Sequence, residues 1–398
     1  MSGPLRGIRV IDLTINILGP VATQILGDMG ADVIKVEAPE GDAMRHSGLA
    51  KNPGMASLFM NTNRNKRSVV LDLKRPAGLE ALLRLVETAD VFVHSLRPQS
   101  AERLNISYRE LVARKPRIVY ACAPGYRPDG PNFNRPAFDD VIQGESGIAD
   151  MMGRNAEDPR YIPMVMADKL CGHVLASAVG MALFDRERSG LGQEVVVPML
   201  ETMLSFNLVE HLWTNFFETG TKKDLGYARM FSPHRRPYAT RDGHICLLAV
   251  NDDQWRRLLG VIGRQELARD ERFAALAERT RNINQLYAIL AEEIKGKTTA
   301  EWQRLLDAAD IPNGAVVELG SLAEHPYLKA TDFFHWYEHP SEGAMVTTAI
   351  PVQFGRTPGS IRLPPPRLGE HTQAVLHEIG YSDSDIEDMT GAHSVAAP

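Results

Sequence analysis

The stretch GIRVIDLTINILGPVATQILGDMGADVIKVE, residues 7–37, reads as a strand, a helix and a second strand. Ile8 to Leu13 is a short run rich in β-branched residues. Gly19-Pro20 opens an apolar-periodic helix through Leu26, Gly27 and Gly30 close it, and Ala31 to Val36 is again strand-like. Proline at a helix start and glycine at its end is the expected asymmetry.

The same alternation continues outward. Ser68 to Leu73 reads as a strand, Pro76 opens a helix to about Thr88, and Asp90 to His94 is a third strand. Ser107 and Glu110 form a capping-box pattern for a helix to Arg114, and Arg117 to Cys122 is a fourth strand. Strands spaced by helices imply βαβ units, hence an α/β fold with a largely parallel, Rossmann-like sheet. Such a sheet offers its ligand site beyond the carboxyl ends of the strands.

Leu170, Val174, Ala178, Met181 and Phe184 follow helical spacing, so Lys169 to about Arg188 is a helix rich in small residues. Gln193 to Val197 reads as a strand and Met199 to Glu218 as a helix. From Tyr227 the texture changes. Arg236–Thr240 and His244–Val250 flank Asp242-Gly243, a hairpin signal, and helices follow at Asp253–Ile262, Arg281–Ile294 and Thr298–Ala309, the last opened by Thr298 and Glu301. The expected organisation is a large α/β domain over 1–218, to which 330–398 returns. A linker and a smaller α+β domain occupy 219–329. Pro351 to Pro366 is extended, and Glu370 to Ile379 is helical.

The chain has 398 residues, 24% charged, with a net charge of −6, which argues against nucleic acid as a partner. Three separated cysteines in no CxxC pattern suit reduced thiols, and the N-terminus carries no signal-peptide pattern. Asp168, Lys169 and His173 interrupt the best membrane-spanning candidate. The expectation is a cytoplasmic protein with no membrane association. There is no GxGxxG after the first strand, no GxxxxGK[ST], no GxSxG and no HExxH, so dinucleotide, P-loop, triad and metal chemistry find no motif, and no metal ligands are assigned.

Asp168 stands out at the start of the small-residue helix. As a helix N-cap it would accept backbone N–H bonds. As a nucleophile it would be an ionised carboxylate sharpened by partial desolvation. Local sequence leaves both readings open.

Taken in order, GIRVIDL (7–13), Gly19-Pro20, LGDMGADVIKVE (26–37), NRNKRSVVLDLK (63–74), SGLGQ (189–193), IPNG (311–314), HPYL (325–328) and LGEHT (368–372) are specific. Over essentially its whole length the chain resembles the family III CoA-transferases, the group that also contains α-methylacyl-CoA racemase. The resemblance implies an interlocked homodimer and acyl-CoA and a small carboxylic acid as substrates, with no tightly bound cofactor. It makes Asp168 the nucleophile, passing through an acyl-aspartyl anhydride and an aspartyl-CoA thioester. Leu71, Asp72, Leu73 and Lys74 match the segment around the adenosine end of CoA, and Arg103 a basic residue at its phosphates. Asn16, with Ile17 beside it, matches a polar position facing the thioester, and Asp139 an acidic position near the nucleophile. Ser95 and Arg97 stand in place of an Asn-x-His pattern, and Ala38 replaces an arginine of some transferases.

Within that group, the racemase branch requires a histidine where this chain has Phe138, which cannot exchange a proton. A silent CoA-binding subunit is the third alternative. Lys169 supports it, because an ammonium beside Asp168 would weaken the nucleophile. Arg229, His234, Arg235 and Arg236 are candidates to hold a second carboxylate of the acceptor. The glycine-rich lid of the formyl-CoA branch has no counterpart, which argues against oxalate and formyl-CoA.

Overall fold

The computed structural model describes residues 3–154, 158–212 and 225–390. The end of the expected Met199–Glu218 helix, 213–218, and part of the expected linker, 219–224, lie outside the described residues. The chain clusters into two compact units. One is drawn from Met1–Ala149, Tyr161–Phe206 and Asp332–Pro398, the other from Asp150–Arg160 and Asn207–Thr331.

The first unit is built on six parallel strands, β1 (Arg9–Leu13), β2 (Asp32–Glu37), β3 (Lys66–Val70), β4 (Val91–His94), β5 (Val119–Cys122) and β6 (Glu194–Val196), in the order β3-β2-β1-β4-β5-β6. Val10 lies between Val33 and Val91, and Ile11 between Ile34 and Phe92, all buried. Alternation sends these rows to opposite faces. On the Ile11 face, α3 (Pro76–Thr88) packs with Ile106, Leu111 and, from near the C-terminus, Val375 and Leu376. The opposite face takes α1 (Leu18–Asp28) and the 24-residue α8 (Met166–Ser189). Gly172 permits their contact, since a Cβ there would sit 2.7 Å from the Leu18 carbonyl oxygen.

In chain order the remaining helices before β6 are α2 (Ser57–Met60), α4 (Pro98–Arg103), α5 (Tyr108–Arg114), α6 (Asp139–Glu145) and α7 (Ile148–Gly153), the last running past Ala149, where the first unit's segment ends. Helix α9 (Met199–His211) follows β6. Helix α8 is long and apolar enough to cross a membrane by length and composition, despite the charges at its start. In the fold it buries Ala167, Cys171, Leu175 and Val179.

The second unit pairs β7 (Tyr238–Ala239), β8 (His244–Leu247) and β9 (Asn313–Ala315) antiparallel, with the turn at Asp242-Gly243 as expected. Its core gathers Trp255, Leu258, Leu286, Leu290, Trp302 and Leu306 from α10 (Asp252–Val261), α12 (Ile283–Glu293) and α13 (Thr299–Ala308).

Four local readings are corrected. Strand β3 starts at Lys66, two residues before the expected Ser68, because the Lys66 ammonium is buried on Asp12 rather than solvated. Ser107 flanks α5 without a side-chain cap bond, and Glu110 instead accepts from Arg109. The expected helix 281–294 is α12, which starts two residues later at Ile283, because Arg281 ends a preceding short helix, α11 (Leu276–Arg281). Finally, β10 (Phe334–His339) and β11 (Gly343–Thr348) form an antiparallel hairpin that the sequence reading passed over.

Candidate active site

Strands β1 and β4 are neighbours, yet β1 continues outward to β2 and β4 to β5. Their carboxyl ends therefore open a crevice at the point where strand order reverses. Ile15, just past β1, donates its N–H to Ser95 Oγ, just past β4, at 3.1 Å. Asn16 follows in the left-handed region, φ 65°, and its N–H reaches Asp42 Oδ1 at 3.2 Å. Helix α1 begins two residues later.

A cavity of about 260 Å³ lies here, lined by Asn16, Ser95, Arg97, Phe138, Asp168 and Met199 among others. A second cavity, about 350 Å³, is lined by Leu71, Asp72, Leu73, Lys74 and the 36–42 loop. Both are bounded by Ile15, Ser95 and Leu96, which form the wall they share.

Asp168 is not the cap of α8. The helix starts at Met166, three residues earlier than the sequence suggested, so Asp168 is its third residue, and Val165 is the N-cap. Its own N–H donates to Asp139 Oδ1 at 3.0 Å. Asp139 is fixed in turn by Gln143, whose Nε2 donates to Asp139 Oδ2 at 2.5 Å and to the Met164 carbonyl at 3.1 Å. The Gln143 side-chain carbonyl accepts from Ile162 N–H at 2.9 Å. This buried clamp fixes where α8 begins.

Burial, followed by the charges of Asp139 and Asp140, pushes the Asp168 carboxyl up from 3.8 to about 7. A helix N-terminus favours the anion by about 0.3–1 kcal/mol, whereas three pKa units correspond to about 4 kcal/mol, so burial wins. The Lys169 ammonium turns away, onto Met164 Sδ at 3.3 Å, and contributes nothing to the shift. This removes the physical objection that Lys169 raised. The nearby Cys171 thiol is pushed up to about 12 by burial and then by Asp168 and Asp139, leaving it protonated at neutral pH.

The structure thus brings Asn16, Ser95, Arg97 and Asp168 to one cavity and the 71–74 run, with Ser95 again, to the next. Asp139 lies behind the Asp168 backbone, outside the cavity lining, and Ile17 is buried next to Asn16. Arg103 lies at the exposed end of α4, donates to Ser100 Oγ at 3.1 Å and lines neither cavity. In the second unit, Arg229 donates to Tyr287 Oη at 2.6 Å. Sequence reasoning missed Gln143, Asp42 and Lys35. Lys35 carried a signal, a lone cation inside the β-branched run ADVIKV.

A model of CoA-transferase family III matches residues 5–372. The chain is 34% identical over 394 residues to a probable fatty acyl-CoA transferase of Mycobacterium tuberculosis, Rv3272, covering 94% of this chain and 97% of that protein. The crystal structure of Rv3272 in its orthorhombic form has a TM-score of 0.82 at 32% identity, over 94% of this chain and 99% of that one. A succinate–glutarate CoA-transferase of Agrobacterium fabrum is 32% identical over 392 residues, covering 94% of this chain and 96% of that protein. The match spans the sheet, the crevice and both units, and the chain belongs to CoA-transferase family III.

Proposed function

We propose that this CoA-transferase moves CoA from an acyl-CoA thioester to a free carboxylic acid through covalent intermediates on Asp168. The carboxylate attacks the thioester carbonyl, forming an acyl-aspartyl anhydride and expelling CoA thiolate. The thiolate attacks the aspartyl carbonyl, releasing the donor acid and leaving an aspartyl-CoA thioester. The acceptor carboxylate then forms a second anhydride, from which returning CoA takes the new acyl group and frees Asp168. Each step exchanges one acyl bond for another, so the thioester's energy is conserved as long as water is excluded.

The observation that carries this reading is the Asp168 carboxylate itself, facing the crevice with no hydrogen-bonding side chain on it among the described residues. Asn16, across the same cavity, is suited to donate from its side-chain amide to the developing oxyanion. The adjoining cavity suits the adenosine end of CoA against Leu71–Lys74, with Arg97, on the lining of the Asp168 cavity, as the nearby cation for its phosphates. The chemistry named for relatives, from fatty acyl-CoA to succinate and glutarate, supports a carboxylic acid acceptor.

The expected homodimer is supported by α8. Val174, Met181 and Phe184, three of the apolar residues that announced this helix, are on its exposed side. A second chain would cover them.

Incubation with an acyl-CoA, followed by hydroxylamine and peptide mapping, tests the mechanism. A hydroxamate at Asp168 is the expected product. Absence of any adduct together with exchange of the acyl α-proton into solvent would replace this reading with the racemase one, and absence of both would leave a silent CoA binder.

A further inference from the structure

Beneath the crevice, on the face of the sheet covered by α1, six charged side chains are buried together. They form three pairs, Lys35–Asp42 at 3.0 Å, Lys66–Asp12 at 3.0 Å and Arg45–Glu37 at 2.7 Å, none more than 1% exposed. The charges sum to zero. Burial pulls the Lys35 ammonium down, but Asp12, Asp42 and Glu37 overcome it and hold its pKa above the ordinary lysine value. Buried ion pairs seldom add stability over an apolar core of the same shape. What these pairs touch is therefore informative.

Two of them converge on the turn that follows β1. Lys35 Nζ donates to the Thr14 carbonyl at 2.8 Å. Asp12 Oδ1 accepts from Thr14 N–H at 3.0 Å and from its hydroxyl at 2.5 Å. Asp42 Oδ1 accepts from Asn16 N–H at 3.2 Å and from Met44 N–H at 3.0 Å, while its other oxygen holds Lys35. Thr14 and Asn16 are thus gripped from below, and Ile15 between them is held from the side by Ser95. The residue so constrained is Asn16, which adopts a backbone conformation that few side chains tolerate. Asparagine is among the few side chains that enter this region, and the bond to Asp42 fixes the Asn16 N–H, and with it the residue's place at the cavity.

We infer that Asp42, seated by buried Lys35, is a positioning residue whose carboxylate oxygen accepts from Asn16 N–H and holds Asn16 in its left-handed conformation, with its side chain facing the Asp168 cavity. This rests on the proposed role of Asn16 at the thioester. Neither Lys35 nor Asp42 lines the cavity that holds Asp168, so neither is a catalytic residue; Asp42 borders the adjoining cavity.

The test compares the whole enzyme with three replacements. K35M/D42L removes the pair and the acceptor for Asn16 N–H. K35M/D42N removes both charges, keeps the buried set neutral and retains a carbonyl acceptor. The third is N16A. Single-turnover formation of the trapped Asp168 adduct is measured against acyl-CoA concentration. K35M/D42L and N16A should each slow the adduct-forming step by a similar factor, about tenfold or more. The half-saturating concentration should stay within about twofold of wild type in N16A, and that of K35M/D42L is judged against K35M/D42N because Asp42 also borders the adjoining cavity. Combining K35M/D42L with N16A should cost no more than either alone, whereas independent effects would multiply. K35M/D42N should recover to within about threefold of wild type. Multiplied losses, or full activity in K35M/D42L or N16A, would overturn the inference.

Hydrogen exchange at the Asn16 amide of the wild-type enzyme decides the matter even where a variant fails to fold. Protection supports the clamp, and exchange at the rate of an open loop refutes it. If wild type forms no adduct on Asp168, the covalent mechanism falls, and the same comparison made on steady-state kcat still judges the positioning role.

Discussion

Lowering the pH from 8 to 5 should slow the reaction of this enzyme with acyl-CoA far more than an ordinary aspartate would allow. In the proposed mechanism the nucleophile is the ionised carboxylate of Asp168, whose pKa stands at about 7 rather than 3.8. About nine-tenths of the sites are then ionised at pH 8 and about one in a hundred at pH 5, so kcat/KM should fall by about 90-fold. An unshifted aspartate would stay more than about 90% ionised at pH 5, and the ratio would be close to one. The D140N variant isolates the cause, because Asp140 is exposed and its loss leaves the Asp139–Gln143 clamp intact. Asp140 is the smallest of the three contributions. It therefore supplies at most a third of the roughly three-unit gap, and D140N should lower the midpoint by about one unit or less. The assay is kcat/KM for the acyl-CoA at saturating acceptor and constant ionic strength. Dividing the D140N profile by the wild-type profile cancels titration of the substrates. A wild-type acid limb with its midpoint below pH 5, or a D140N midpoint at or above that of wild type, would refute the electrostatic account.

The same shift makes Asp168 a cost to the fold. A raised acid stabilises the folded state below pH 3.8 and loses that contribution as pH rises through about 7. Discounted for its partial exposure, the penalty above pH 7 is about 2 kcal/mol, so D168N should be more stable than wild type by about that amount at pH 8.5, with most of the advantage gone at pH 4.5. Thermal melts at the two pH values check this, and an advantage independent of pH would contradict it. The helix caps offer a paired comparison by urea unfolding. Thr298 accepts from Glu301 N–H in a complete capping box, so T298A should cost about 1 kcal/mol, whereas Ser107 makes no cap bond and S107A should stay within about 0.5 kcal/mol. Equal losses would show that the Ser107 cap forms in solution.

The strand–helix alternation of residues 7–122 was legible because parallel strands buried on both faces are nearly continuous apolar runs. It failed where that rule fails. Lys66 looks like a loop residue until its partner Asp12, 54 positions away, is known, and β3 was accordingly read two residues late. For α8 the periodic set that announced the helix lies largely outward, while the inward face is Ala167, Cys171, Leu175 and Val179. Helical spacing tells a helix from a strand but not which side is covered. Asp168 was recognisable, but not its place in the first turn. That start is set by Gln143 reaching Ile162 and Met164, a contact across some 20 residues that no local pattern encodes.

The three buried ion pairs also bear on how the chain finds its sheet. Strands such as RVIDL, DVIKVE and KRSVV would align almost equally well in several offsets if apolar contact were the only guide, and a shift by one residue turns a strand inside out. Here any offset strands a lysine or a carboxylate in a dry interior, at a cost of several kcal/mol. Asp12, Lys35 and Lys66 thereby act as a combination lock on β1, β2 and β3, which opens for one alignment. The central sheet thus carries in its charges a check on its own register.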